Sequence, residues 1–379
     1  MIIILNLIFI NDSKDLDRTY KDETRSIFIS YIELSKYINN NDVINSKKNI
    51  KKMINNTEKL GLNTIILQVR SMSDAIYKSN IYPCCSYICG SEDNKLNFDI
   101  LKYFIKESKK KNIKVIAWIN PYRVRSATSN VPITSNNPVY KYIGTDVLYE
   151  KNGIYLNPAK NESINLIVDG VLEIVKNYDV DGILFDDYFY PDLEVDINNY
   201  AEYQKGNKDK DINSYRLDNV SRMVEKVHKT CKKYNKTFGV SPDGNMENNY
   251  NRHFADVKKW GSSNKYVDYL MPQIYYGFYN ETKSFNNVIH EWDDIIKCDD
   301  VKLMIALAFY KVGSFDKYAN SGSEEWILNN DIIKREIILS RNLKNYQGFS
   351  LFRYDYLFNS ELKTTTTVKE IENIKEILN

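Results

Sequence analysis

Two adjacent aspartates, Asp186 and Asp187, interrupt the stretch DVDGILFDDYFYP (179–191) where its apolar run stops and alternating aromatics begin. A carboxyl group set against apolar residues holds its proton to higher pH and can act as a general acid near neutrality. Other apolar runs in the chain end in amides (Gln68, Asn120, Gln273), guanidinium groups (Arg70, Arg123, Arg353) and a serine, Ser241. They also end in flat rings: Trp118, Tyr122, Tyr188, Tyr190, Tyr275 and Tyr310. Glu33 and Asp243 are further carboxylates in comparable positions. Amides and guanidinium groups donate to hydroxyl and acetamido oxygens, rings stack on the apolar faces of sugars, and carboxyls move protons. This inventory suits the cleavage of a glycosidic bond. It contains no Ser-His-Asp or Cys-His set, and His228, His253 and His290 lack HExxH or similar zinc spacing.

The elements that must position these residues can be read from periodicity. Apolar β-branched runs at 26–32, 63–69, 113–119, 182–186, 236–241, 267–275, 302–309 and 348–354 read as strands. Helical patterns follow at 45–60, 98–111, 161–177, 213–233, 253–260, 284–297, 327–345 and 361–378. Strands alternating with helices predict a parallel sheet, and continuous apolar strands predict burial on both faces. Eight such units predict a closed (β/α)8 TIM barrel with extended loops at its carboxyl face, where the site of such a barrel lies. A doubly wound open sheet is the runner-up, but no Gly-rich phosphate loop follows the first strand. The polar and aromatic residues named above all fall at or just past the carboxyl ends of the strands, with no comparable cluster at the opposite ends.

Residues 25–379 are expected to form this barrel as one domain, with residues 1–24 as an apolar segment and polar lead-in. MIIILNLIFIN is too short to span a bilayer and reads as the apolar part of a shortened or mis-started secretion signal or as a simple first strand, the polar stretch that follows favouring the signal. An extracellular or cell-envelope location is expected, with no transmembrane span. The 379 residues carry a formal net charge of +2, and the short lysine runs fall on helices, so no nucleic-acid partner is expected. Cys84, Cys85, Cys89, Cys231 and Cys298 form no paired CxxC motif and read mostly as unpaired small hydrophobes. Neither a metal nor a cofactor is expected.

The blocks LGLNTIILQVRSMSDAIYKS (60–79), AWINPYRV (117–124), YLNP (155–158), YDVDGILFDDYFYP (178–191), FGVSPDG (238–244) and VDYLMPQIYY (267–276) resemble the glycosyl hydrolase-like 10 family. The resemblance runs in order from residue 25 to about 354. It implies a (β/α)8 barrel of bacterial envelope or secreted proteins acting on glycans, some members being peptidoglycan-cleaving lytic transglycosylases. Ser71 stands where the family usually has proline, Ser73 where glycine is common, and Asp243 where an apolar residue is usual. The fourth strand is also similar to that of family 18 chitinases. Aligned on Asp181-Gly182, Asp186 falls on the last aspartate of their acidic ladder, and Tyr188 on their catalytic glutamate.

Neighbouring side chains on a strand point to opposite faces, so a regular fourth strand would turn only one of Asp186 and Asp187 into the cleft. The pair is then not the two facing carboxylates of an ordinary glycosidase. One of the two aspartates is expected to be the general acid, Asp186 by register or Asp187 if the backbone turns there. Asp243 or Glu33 would be the second carboxylate of a hydrolase. The expected function is cleavage of cell-wall glycan, by lytic transglycosylase or by muramidase-like or hexosaminidase-like chemistry. Another extracellular polysaccharide, or a non-catalytic glycan-binding barrel, is the alternative.

Overall fold

The apolar runs form strands because each buries both of its faces, one toward the barrel axis and one under a helix. In the computed structural model, which describes Tyr20 and residues 22–378, they are β1 (Thr24–Ile29), β2 (Thr64–Arg70), β3 (Lys114–Ile119) and β4 (Gly182–Phe185). They continue as β5 (Thr237–Val240), β6 (Tyr269–Leu270 with Gln273–Ile274), β7 (Lys302–Leu307) and β8 (Tyr346–Leu351). Each strand pairs in parallel with the next, and β8 pairs with β1 through Thr24 opposite Gly348, so the sheet is a closed eight-stranded barrel ringed by helices. Residues 1–19 and 21, which hold the apolar segment and most of the lead-in, lie outside the described residues. No helix among the described residues is long and apolar enough to cross a membrane.

Two apolar layers result. Phe28, Ile66, Ile116, Trp118, Leu184, Tyr269, Met271 and Met304 fill the barrel interior. A larger layer packs the outer faces of the strands against helices such as Val43–Lys59, Asn161–Asn177 and Ile212–Lys233.

Departures from the sequence reading have local causes. β1 stops at Ile29 because Ser30 caps the helix Tyr31–Tyr37, its hydroxyl and backbone N–H both donating to Glu33 in a capping box. β6 is split because Pro272 has no N–H to give to the ladder. The long loop after β3 carries a small antiparallel sheet of Arg123–Ser126, Leu148–Glu150 and Gly153–Leu156, strands too short and polar to show a period. Cys84 and Cys89, read above as unpaired, form a disulfide across the short helix Ser86–Cys89, which brings their Cα atoms to 6.2 Å.

The seam between the first and last strands is clamped at both ends. Near the amino ends, Glu23 accepts from Arg341 at 2.8 and 2.9 Å and from the Tyr346 hydroxyl at 2.8 Å. Near the carboxyl ends, Arg353 donates to Glu33. Both carboxylates are buried.

A second pair of buried carboxyls lies between the helices Ile332–Ser340 and Thr365–Leu378. Glu336 and Glu370 are fully inaccessible, and neither oxygen of Glu336 has a hydrogen-bond partner. Burial, and then the charge of Glu370, raises Glu336 well above the usual carboxyl range. A raised folded-state value means that its contribution to stability is fully present below the unfolded value and is lost as pH rises toward the folded one. Glu336→Gln is therefore expected to raise Tm at neutral and higher pH, by about 1 kcal/mol or roughly 2 °C in a chain this long, with no gain near pH 4. Thermal melts at several pH values check this; a pH-independent change would remove the buried charge as the cause.

Candidate active site

The carboxyl face opens into a cavity of ≈ 310 Å³. Its floor is aromatic. Phe28 packs edge-on against Trp118 at 5.3 Å and against Phe352 at 5.4 Å, and Tyr275 lies 5.6 Å from Phe352. Apolar walls of this kind raise the cost of ionising any carboxyl among them.

Asp186 stands on this floor, 3% exposed. Its Oδ2 accepts from the Trp118 indole N–H at 3.0 Å and from the Asn120 amide. The orientation of that amide is set by a chain of hydrogen bonds. The backbone N–H of Tyr31 donates to Gln68 Oε1 at 2.8 Å, so Gln68 turns its NH2 to Asn120 Oδ1 at 2.6 Å, and Asn120 turns its own NH2 to Asp186. Both donors to this oxygen come from the end of β3, and residues at the ends of β1 and β2 set the orientation of one of them. The other oxygen, Oδ1, is buried with no partner. Since Oδ2 is taken up as an acceptor, Oδ1 is where a proton belongs. Burial, and then the neighbouring Asp187 carboxylate, pushes Asp186 up to about 7 against the pull of Arg123.

Asp187 lines the same cavity. β4 ends at Phe185, its last rung being the bond from Ser241 N to Phe185 O at 2.7 Å, and the chain then turns as Phe189 N donates to Asp187 O at 3.0 Å. The strand alternation that would have turned one aspartate away therefore does not extend to residue 187. Asp186 points to β3, while Asp187 accepts from Gln273 Nε2 of β6 at 2.9 Å. Asp187 is half-buried and is also raised, by burial first, while His253 and Gln273 favour its charged form.

The cavity gathers Gln68, Trp118, Asn120, Arg123, Asp186, Asp187, Tyr188, Ser241, Gln273 and Tyr275 from the residues singled out in the sequence. Arg123 donates to Ser71 O at 2.9 Å and lies 5.2 Å from the Tyr188 ring centre. Ser241 Oγ is buried with no partner. Other expected residues lie elsewhere. Glu33 is fully buried in the capping box and paired with Arg353, so both residues belong to the seam. Asp243 accepts from Asn245 N at 2.8 Å and Asn248 Nδ2 at 2.9 Å, and its Oδ2 lies 3.7 Å from His253. Burial works against its charge, but these donors hold it below the usual range. Arg70 is turned outward, its guanidinium 4.2 Å from the Tyr82 ring centre and packed against Gly170, where even a Cβ would strike it. Tyr122 is 1% exposed, Tyr190 is buried against Asp196, and Tyr310 stands behind Tyr275 at 5.6 Å.

Phe28, Ser30, Tyr31 and Phe352 line the cavity without having been singled out. Period-2 counting along β1 would have turned Phe28 and Ser30 inward. The Tyr31 N–H shows no trace in sequence because the backbone supplies it. Among the described residues no group of three or more His, Cys, Asp or Glu is placed to hold a metal ion.

Residues 23–324 match the profile of the family described as Glycosyl hydrolase-like 10. The chain belongs to this family. Glycosyl hydrolase YngK of Bacillus subtilis is 29% identical over 324 residues, which are 80% of this chain and 62% of that protein, so the match spans less than two thirds of that relative. Glycosyl hydrolase DigH of Escherichia coli K12 is 30% identical over 332 residues, 80% of this chain and 74% of that one. The barrel also superposes on the glycoside hydrolase domain of PgaB (BpsB) from Bordetella bronchiseptica, with a TM-score of 0.62 at 12% identity over 94% of this chain and 99% of that domain. As a member of the glycosyl hydrolase-like 10 family, the chain is a glycoside hydrolase-like TIM barrel.

Proposed function

We propose that this barrel cleaves the glycan strands of peptidoglycan outside the cytoplasm, residues 25–379 acting as one catalytic unit. The observation that carries the reading is Asp186: a buried carboxyl at the edge of the cavity, with one oxygen held by Trp118 and Asn120 and the other left without a partner. A carboxyl so held delivers its Oδ1 proton to the glycosidic oxygen as the bond to C1 breaks. Asp187, ionised, faces the positive charge that develops at the sugar ring and can direct a water to C1, which makes hydrolysis the first reading. The amides and rings of the cleft suit an N-acetylated aminosugar, and the sequence resemblance supplies the cell-wall substrate.

A second reading is favoured by the single free carboxyl oxygen. Once Asp186 has given its proton to the leaving oxygen, its carboxylate can take the proton of the 6-hydroxyl of a muramic residue as that oxygen attacks C1 in place of water. Incubating purified peptidoglycan with the protein and weighing the products by mass spectrometry separates the two. New reducing ends are expected from hydrolysis and 1,6-anhydro ends from intramolecular attack, whereas bound but uncut strands would overturn the catalytic reading.

A further inference from the structure

Beside the catalytic cleft lies a second hollow of ≈ 610 Å³, walled by Tyr155, Tyr188, Phe189, Leu193, Arg252 and His253 among others. The two cavities share Tyr188, whose ring is 52% exposed between them. Both volumes fall in the range of small-ligand sites. A glycan residue leaving the cleft past Asp187 would meet the Tyr188 ring and then this hollow. Tyr188 and Leu193 are exposed, an arrangement that leaves flat apolar surface for the face of a sugar.

The charges of the hollow are unevenly engaged. Asp192 and Glu194 at its rim are held by Lys151 at 3.3 and 3.0 Å. His253 lies 3.7 Å from Asp243. Arg252 is exposed and makes neither an ion pair nor a side-chain hydrogen bond among the described residues. The backbone that presents it is firmly set. The turn Asn249–His253 ends at Phe254, which is 1% exposed in the left-handed region (φ 52°) and packs edge-on against Tyr190 at 4.9 Å. Asn249 Nδ2 ties the same turn to Asp243 O at 2.7 Å.

We infer that this hollow is a subsite for the neighbouring sugar of the strand, that Tyr188 stacks on it, and that Arg252 pairs with a carboxylate carried by that sugar. The occupant is an aminosugar whose ether-linked acid is free, as on a muramic residue without its stem peptide, since in the peptide-bearing polymer that carboxyl is taken up in an amide bond. This assignment rests on the peptidoglycan reading above and deepens it.

The test uses the full chain carrying Asp186→Asn, so that binding is measured without turnover. The ligands are peptide-free glycan strands from peptidoglycan and the same strands with their carboxylates amidated. Adding Arg252→Gln is expected to weaken binding of native strands about tenfold and to leave amidated strands unaffected, as for one lost charge-assisted contact. Tyr188→Ala should weaken both ligands alike. Equal binding of native strands with and without Arg252, or an equal loss on both ligands, overturns the carboxylate assignment even if the wild-type protein cuts the strands. Arg252-dependent binding without any cleavage by the wild type would instead reject the catalytic reading and keep the subsite. No measurable binding of native strands overturns the subsite, while the catalytic reading stands or falls on the ends released by the wild type.

Discussion

Asp186→Asn is expected to lower kcat for glycan cleavage by about a hundred- to ten-thousandfold, the usual contribution of a positioned general acid, with KM little changed. Asparagine keeps the shape of the side chain and an oxygen for Trp118 and Asn120 to bond, but it has no proton to give. Asp187→Asn is expected to cost roughly a hundredfold, the scale of losing one oriented charge or dipole that faces the transition state. The pH profile carries the sign. With Asp186 raised to about 7 by burial and by Asp187, the active protonated form is present below that value, and the rate of the wild type falls as pH rises through it. Asp187→Asn removes the like charge that helps hold the proton, so the falling limb should move to lower pH. The same raised value makes wild-type stability decline as pH rises, so Asp186→Asn should melt no lower than wild type at pH 8. Undiminished cleavage by both single variants, measured as reducing or anhydro ends released, would sink the assignment.

The largest loss of stability is expected from Asp196→Ala. Asp196 is fully buried and Arg216 is 3% exposed. The guanidinium donates to the carboxylate from Nε at 3.1 Å and from Nη2 at 2.8 Å, and the Tyr190 hydroxyl adds a bond at 3.1 Å. Phe254 covers the cation at 5.0 Å. Removing the anion leaves a buried charge with no counter-ion, which costs about 3–5 kcal/mol. Asp196→Leu combined with Arg216→Met should recover much of that loss, because two apolar side chains leave no charge behind. Chemical denaturation of the three proteins decides the matter, and a single variant within about 1 kcal/mol of wild type would mean that the pair contributes little. The segment from Asp186 to Asp196 carries both aspartates and the wall of the second hollow. Activity is therefore expected to fall along with stability in Asp196→Ala.

Much of this architecture was legible because buried parallel strands advertise themselves. β2, β3 and β7 are continuous apolar runs, and the helix Asn161–Asn177 begins and ends where its pattern does. The rim was legible too, since a polar residue at the end of an apolar run is conspicuous. What escaped was set by local backbone chemistry or by partners distant in sequence. Glu33 looks like a strand-end carboxylate until Ser30 is seen to start a helix three residues earlier. Asp187 looks turned away until β4 is seen to stop at Phe185. Arg70 and Arg353 look like rim donors, but one faces the ring of Tyr82, in a loop packed on the helix Asn161–Asn177, and the other closes a seam. Side-chain direction past a strand end depends on the turn that follows, and periodicity holds no information about that turn.

The doubly clamped seam has a consequence for how the chain is made. Glu23 meets Arg341 across 318 positions, and Glu33 meets Arg353 across 320. During synthesis the first strand has only local partners for its two carboxylates, Arg25 for Glu23 and Ser30 for Glu33, until more than 300 further residues have emerged, the slow and exposed kind of pairing. The floor of the cleft straddles the same seam, since Phe28 comes from one side of it and Phe352 from the other. No nascent fragment can therefore assemble the apolar ground on which Asp186 keeps its proton. The cleft is complete only once the segment carrying Phe352 and Arg353 has joined the first strand.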